Sequence, residues 1–180
     1  MSKQNEATGY KISGSFENTW TPSMTYKFDD RIKFMFDMVK GLEYESVMDL
    51  GCGNQDAKKY VPTGVKYIPI NYINQSPGTI VRDFNKDEFE EREVDLMLGS
   101  GILEYIYKPL PFLENISKYC RRYFVLSYVL GEYRKEKAKI WVNSLTNAEL
   151  LSMLDKVGFD LVREEWYIPN HQKVFLLRKK

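Results

Sequence analysis

The residues best suited to chemistry in this chain are Val47-Met48-Asp49-Leu50-Gly51-Cys52-Gly53-Asn54. An apolar run ends in an acidic residue, and Gly51 and Gly53 follow, one residue apart. Lacking a Cβ, both glycines let the backbone take positive φ and let a ligand lie directly on the turn. A buried strand that breaks into such a turn offers its backbone to a phosphate or a nucleoside. The spacing is not the dinucleotide fingerprint G-x-G-x-x-G, because Asp56 stands in the third glycine's place.

The elements around the turn follow from period and punctuation. Ile32, Met35, Phe36 and Val39 fall at helical spacing after Asp29 or Asp30 as cap, and Gly41 ends that helix. Ser46–Leu50 reads as a buried strand, and the turn leads into a short helix near Gln55–Tyr60. Val65–Asn71 reads as a second strand, with Pro69 arguing for an edge or a bulge. Ile80–Phe84 and Val94–Leu98 read as a third and a fourth, Pro109–Tyr119 as a helix and Tyr123–Val129 as a fifth strand. Thr146-x-x-Glu149 is a capping box opening a helix that Gly158 stops. Phe159–Trp166 and Lys173–Arg178 follow as strands joined through Pro169-Asn170-His171. The alternation predicts an α/β fold, Rossmann-like and doubly wound. Its seven-stranded sheet would be mostly parallel, with helices on both faces and an antiparallel C-terminal hairpin. Residues 1–24 read as an N-terminal arm and 25–180 as one domain.

Ligands of open α/β sheets bind beyond the carboxyl ends of the strands. Those ends carry Asp49, Gly51, Cys52 and Gly53, then Asn71, then Asp83 and Phe84, then Gly99, Ser100 and Gly101, with Glu104 and Tyr105 following. Together they offer open backbone, polar groups for hydroxyls and an amine, and an aromatic ring, which suits an adenosine-bearing ligand. Each has a plainer reading. Asp49 could bond the amides of its own turn, Asn71 could close an Asx-turn, and Phe84 could be a core ring. Glu104 could cap a helix, and His171, the only histidine, could be an exposed loop residue.

Composition narrows the partners. Lys+Arg number 26 and Asp+Glu 25, a net charge of +1, so no basic footprint for nucleic acid is expected. No long apolar run predicts a membrane span. Cys52 and Cys120 lack metal-ligand spacing and read as free thiols of a cytoplasmic protein with no metal.

From about residue 25 onward the chain resembles the class I S-adenosylmethionine (SAM) methyltransferases, in motif order. Val47–Asn54 is similar to their motif I. Asn71 falls where they carry an acidic ribose-binding residue. Asp83 is similar to the residue that accepts the adenine amine, with Phe84 beside the ring. Asp95–Tyr105 resembles their fourth-strand block, with Tyr105 where histidine is common. The resemblance implies SAM as cofactor, S-adenosylhomocysteine (SAH) as product, and a lid role for Trp20 and Tyr26 in the arm. It also implies methyl transfer by in-line displacement, with Glu104 and His171 as base candidates where the acceptor is an alcohol. Missing Asn/Asp-Pro-Pro-Tyr/Phe and Pro-Cys motifs leave a small-molecule or sugar acceptor and O-methylation as the expectation. Tyr128, Tyr133, Trp141 and Trp166 are candidate walls for it. A non-catalytic SAM-fold module is the alternative.

Overall fold

In a computed structural model, residues 10–11, 19–20, 29–86, 92–134 and 141–180 are described. Two short strands, β1 (Tyr10–Lys11) and β2 (Thr19–Trp20), pair antiparallel, where the sequence suggested only a loose arm. Helix α1 (Asp29–Met38) follows. The main sheet is built from β3 (Ser46–Leu50), β4 (Lys66–Asn71), β5 (Ile80–Val81), β6 (Val94–Ser100), β7 (Cys120–Val129), β8 (Phe159–Ile168) and β9 (Gln172–Lys179). Helix α2 (Pro109–Tyr119) precedes β7, and α3 (Asn147–Lys156) precedes β8. The strand order is β5-β4-β3-β6-β7-β9-β8. β5 to β7 are parallel, and β9 runs antiparallel between β7 and β8, as expected of a terminal hairpin.

Alternation along the strands supplies a core on each face. Met48, Leu50, Met97, Phe124, Leu126, Phe175 and Leu177 pack with Phe112, Leu113 and Ile116 of α2 and Leu150 and Leu154 of α3. Val47, Leu96, Leu98, Val125, Val174 and Leu176 pack on the other face with Ile32, Met35 and Met38 of α1. α1 therefore covers one side and α2 with α3 the other. No described helix is long and apolar enough to cross a membrane.

Pro69 sits inside β4 without disrupting it, for a reason visible in the ladder. The Ile70 carbonyl accepts from Gly51 and Cys52 on the β3 side. Alternation turns Pro69 the other way, where β5 pairs only from Ile70 onward, so no ladder bond is lost. β5 is shorter than the expected Ile80–Phe84. Asp83 Oδ1 accepts from Asn85 N–H and the Asp83 carbonyl accepts from Lys86 N–H, which turns the chain away.

The capping box at α3 is closed in both directions. Thr146 Oγ1 accepts from Glu149 N–H at 3.2 Å, and Glu149 Oε2 accepts from Thr146 N–H at 2.8 Å. Thr146→Ala should cost about 1 kcal/mol and lower the melting temperature by about 2–4 °C. An unchanged melt would show that the box contributes nothing.

Candidate functional site

The chain runs outward from β3 to β4 and β5, then crosses back to β6 on the other flank of β3. The carboxyl end of β3 is thus the point where strand order reverses, the place an open α/β sheet leaves a crevice. The glycine turn occupies it. Gly51 has φ 75° and Gly53 φ 51°, both in the left-handed region. Gly51 N–H and Cys52 N–H donate to the Ile70 carbonyl at 2.8 and 3.0 Å, tying the turn to β4. The two glycines differ in what lies above them. A Cβ on Gly51 would press on Ile102 Cδ1 at 3.0 Å, whereas one on Gly53 would meet only Gln75 Oε1, at 4.0 Å. The space above Gly53 is therefore open.

Asp49 lies beneath the turn. It is buried, and its Oδ2 accepts from the Tyr67 hydroxyl. Burial pushes its carboxyl up to about 7, with the Tyr67 hydrogen bond pulling the other way. Cys52 is buried in the turn and its thiol is pushed up to about 12, again by burial first. Cys120 shares that value for the same first cause. Both thiols are free. Neither should react with iodoacetamide at pH 8 in the folded protein, and both should in denaturant, as peptide mass mapping would read. Rapid labelling of folded Cys52 would contradict the packing described.

On the β4 side, the Asn71 side-chain amide donates to the Ile73 carbonyl at 3.1 Å and to Gln75 Oε1 at 3.0 Å. It braces the loop after β4 through its two donors, and so sets Gln75 over Gly53. Gln55 takes φ 63° and donates to Thr79 Oγ1 and the Pro77 carbonyl, bracing the far wall. Asp83 follows β5, with Lys86 3.7 Å from its Oδ2. Phe84 stacks edge-on against Phe112 of α2, 5.4 Å between centroids, and packs on the core below. Asn85 ties this loop to the β6 side, donating to the Tyr105 carbonyl and accepting from Tyr107 N–H.

The β6 end forms the opposite wall. Gly99 is a packing glycine, since a Cβ there would lie 3.2 Å from Leu126 and Phe124. Gly101 turns the chain at φ 68° beside the Arg31 guanidinium. Arg31, from the first turn of α1, donates from Nε to Ser100 Oγ at 3.0 Å and from Nη2 to the Ser100 carbonyl at 3.3 Å. Burial lowers its pKa, while Glu104 raises it. Glu104 is 2% exposed, and its Oε1 accepts from Val129 N–H at 3.0 Å, just past the end of β6. Burial raises its pKa, with Arg31 among the groups opposing. His171 stands on the same carboxyl-end rim, in the β8–β9 turn, where its carbonyl accepts from Leu130 N–H.

The turn, Asn71, Asp83, Ser100 and Glu104 thus line one edge of the sheet. Tyr26 lies outside the described residues, and Trp20 is described as backbone only. Among the expected walls, Tyr128 proves to be core. It is fully buried, donating to Asn143 Oδ1 and accepting from Leu145 N–H. Tyr133 and Trp166 stack edge-on at the surface, and Trp141 lies under the Arg134 guanidinium at 4.5 Å. Arg31 and Gln75 carried no motif. A charged residue at i–4 and i–7 from Met35 and Met38, on the apolar stripe of α1, was the available signal for Arg31.

No family model matches the chain, and no curated protein is similar to it in sequence. Solved structures are similar to it in shape. The N-terminal domain of EvdMO1 with SAH bound aligns over 97% of this chain and 90% of its own, with a TM-score of 0.62 and 13% identity. Magnesium protoporphyrin IX methyltransferase (ChlM) from Synechocystis PCC 6803, also with SAH bound, aligns over 91% and 90%, with a TM-score of 0.66 and 9% identity. A SAM-dependent methyltransferase from Aquifex aeolicus aligns over 90% and 100%, with a TM-score of 0.63 and 16% identity. This is the class I SAM-dependent methyltransferase fold. In this fold the glycine turn stands at the switch in strand order, between β4 and β6.

Proposed function

We propose that this chain is a SAM-dependent methyltransferase acting on a hydroxyl of a small molecule or sugar. The observation that carries the reading is the opening over Gly53, a left-handed glycine at the strand-order switch with room above its Cα. The fit to an adenosine-bearing sulfonium follows from the walls. Gly51, Cys52 and Gly53 give backbone, Gln75, held by the Asn71 amide, gives an amide group for ribose hydroxyls, and Asp83 gives a carboxylate for an amine. Ser100 and Gly99 close the β6 side, with Phe84 below the ring position. Residues 1–24, with Trp20, and Tyr26 beyond them are assigned to the cover. A neighbour structure obtained with SAH and D-fucose lends the sugar acceptor some support.

When bound, SAM supplies an electrophilic methyl group on a good leaving group. The chain's own work is alignment and exclusion of water. The Arg31–Ser100 clasp fixes the β6 turn, and the Gln55 and Asn71 hydrogen bonds fix the β4 side. An alcohol acceptor must shed a proton, and a carboxyl with raised pKa is a better match to an alcohol than an ordinary one. Glu104 is the group so placed, with His171 on the rim as the other candidate. We assign the protein to the cytoplasm on its free thiols.

Native mass spectrometry tests the reading without a known acceptor. The full chain with added SAH should show a one-to-one adduct that SAM displaces, and no adduct would contradict it. The sealed position of Glu104 favours the second reading, a non-catalytic SAM-fold module. That reading predicts the adduct but no SAH formed from SAM with any neutral polyol.

A further inference from the structure

Gln55 ends the glycine turn, its N–H donating to the Cys52 carbonyl at 2.7 Å, and it stands at φ 63°. Among the described residues it shares the left-handed region only with Asn170 and with glycines. Glycine and asparagine take that region readily, and a longer side chain does so under strain. Such strain persists where the surroundings over-determine it. Here the side chain does so. Gln55 Nε2 donates to Thr79 Oγ1 at 2.9 Å and to the Pro77 carbonyl at 3.0 Å, with the Ser76 carbonyl at 3.5 Å. These three acceptors belong to one turn. Pro77 at its second position and Gly78, φ 81°, at its third suit type II, and Thr79 N–H closes it on the Ser76 carbonyl at 3.2 Å. A glycine at position 55 would relieve the strain, but it would have no side chain to hold that second turn.

The turn belongs to the loop between β4 and β5, residues 72–79. Asn71 holds the start of this loop through Ile73 and Gln75, and Gln75 Oε1 is the atom that stands over Gly53. The loop returns to a base only two residue pairs wide, Ile70 with Ile80 and Asn71 with Val81. So short a ladder leaves the loop to its side-chain bonds, and a segment held by few bonds opens locally, apart from the rest of the fold. We infer that Gln55 is a positioning residue, whose amide latches this loop beside the glycine turn so that Gln75 stands at the cofactor site before the cofactor arrives. The proposal rests on the methyl-transfer reading above. A ligand that needs the closed loop binds more weakly in proportion as fewer chains hold it closed. Gln55 therefore acts on the cofactor through the loop, without touching it.

The test uses the full chain with Gln55→Gly and Gln55→Glu. Gln55→Gly removes both the strain and the amide. Gln55→Glu keeps the size, but an ionised carboxylate only accepts and would face the Ser76 and Pro77 carbonyls, whereas its protonated form donates again. An exposed glutamate passes between the two forms near about pH 4.3. Without ligand at pH 7, amide exchange at Thr79 should quicken tenfold or more in both variants, and Gly51, bonded to the Ile70 carbonyl, should keep the parent rate. SAH affinity at pH 7 should fall tenfold or more in both. At pH 4 the affinity of Gln55→Glu should return to within threefold of the parent at that pH, and that of Gln55→Gly should not. Unchanged exchange at Thr79, exchange that quickens equally at Gly51, SAH affinity within twofold of the parent in Gln55→Gly, or equal impairment of Gln55→Glu at both pH values would each overturn the latch. A parent chain that binds no SAH defeats the methyl-transfer reading instead, and exchange at Thr79 then decides the latch by itself.

Discussion

Gly53→Val will weaken SAH binding at least a hundredfold, about 2.7 kcal/mol. The side chain would rise into the opening that holds only Gln75 Oε1 at 4.0 Å. Valine at φ 51° also strains the backbone, by about 1–2 kcal/mol, so stability will fall too. Gly64→Val separates the two effects. Gly64 has φ 89° and nothing within 4 Å of a Cβ, but it precedes β4, at the amino end of the sheet. It should lose a similar amount of stability and keep full SAH affinity. Titration calorimetry and urea melts on both variants would read this. Equal affinity in the two would mean that the ligand does not lie on Gly53.

The second large effect is on stability against pH. Asp49 titrates near 7 in the folded protein and near 3.8 when exposed, because burial penalises its charge. The folded state therefore holds the proton over a window where the unfolded state has lost it. Stability from this group is greatest below pH 4, falls as pH rises from about 4 to about 7, and is flat above. The raised pKa of Glu104 acts in the same direction. Asp49→Asn removes this group's share of the slope. It should make the protein more stable at pH 8 by up to about 4 kcal/mol, with little change at pH 4. Urea unfolding at the two pH values measures this. Parallel losses in parent and variant would show that Asp49 is not the buried acid.

Much of this fold was legible because local signals agreed with one another. Ser46–Leu50 is buried on both faces and reads as an unbroken apolar run but for Asp49. Pro109 opens α2 and Thr146 and Glu149 open α3 where their types predict. The third strand is shorter than its apolar run suggests, because Phe84 is apolar for the sake of Phe112 rather than for a ladder. Tyr128 is core rather than wall for a related reason. A tyrosine on a β-prone strand reads the same whether its hydroxyl meets solvent or Asn143, and only the tertiary contact decides. The site was half legible. The glycines announce themselves, since positive φ demands them. Arg31 and Gln75 do not, because an ordinary polar residue gains meaning only from the strand or helix set against it. Asn71 shows both sides of this, standing at the expected strand end while its amide is spent on Ile73 and Gln75.

Isothermal titration of the full chain with SAH tests the central claim most directly. A SAM-dependent enzyme built on this crevice predicts saturable one-to-one binding in the micromolar range or tighter, abolished in Gly53→Val and retained in Gly64→Val. No heat of binding at high micromolar SAH, with the protein folded by its melt, would contradict it.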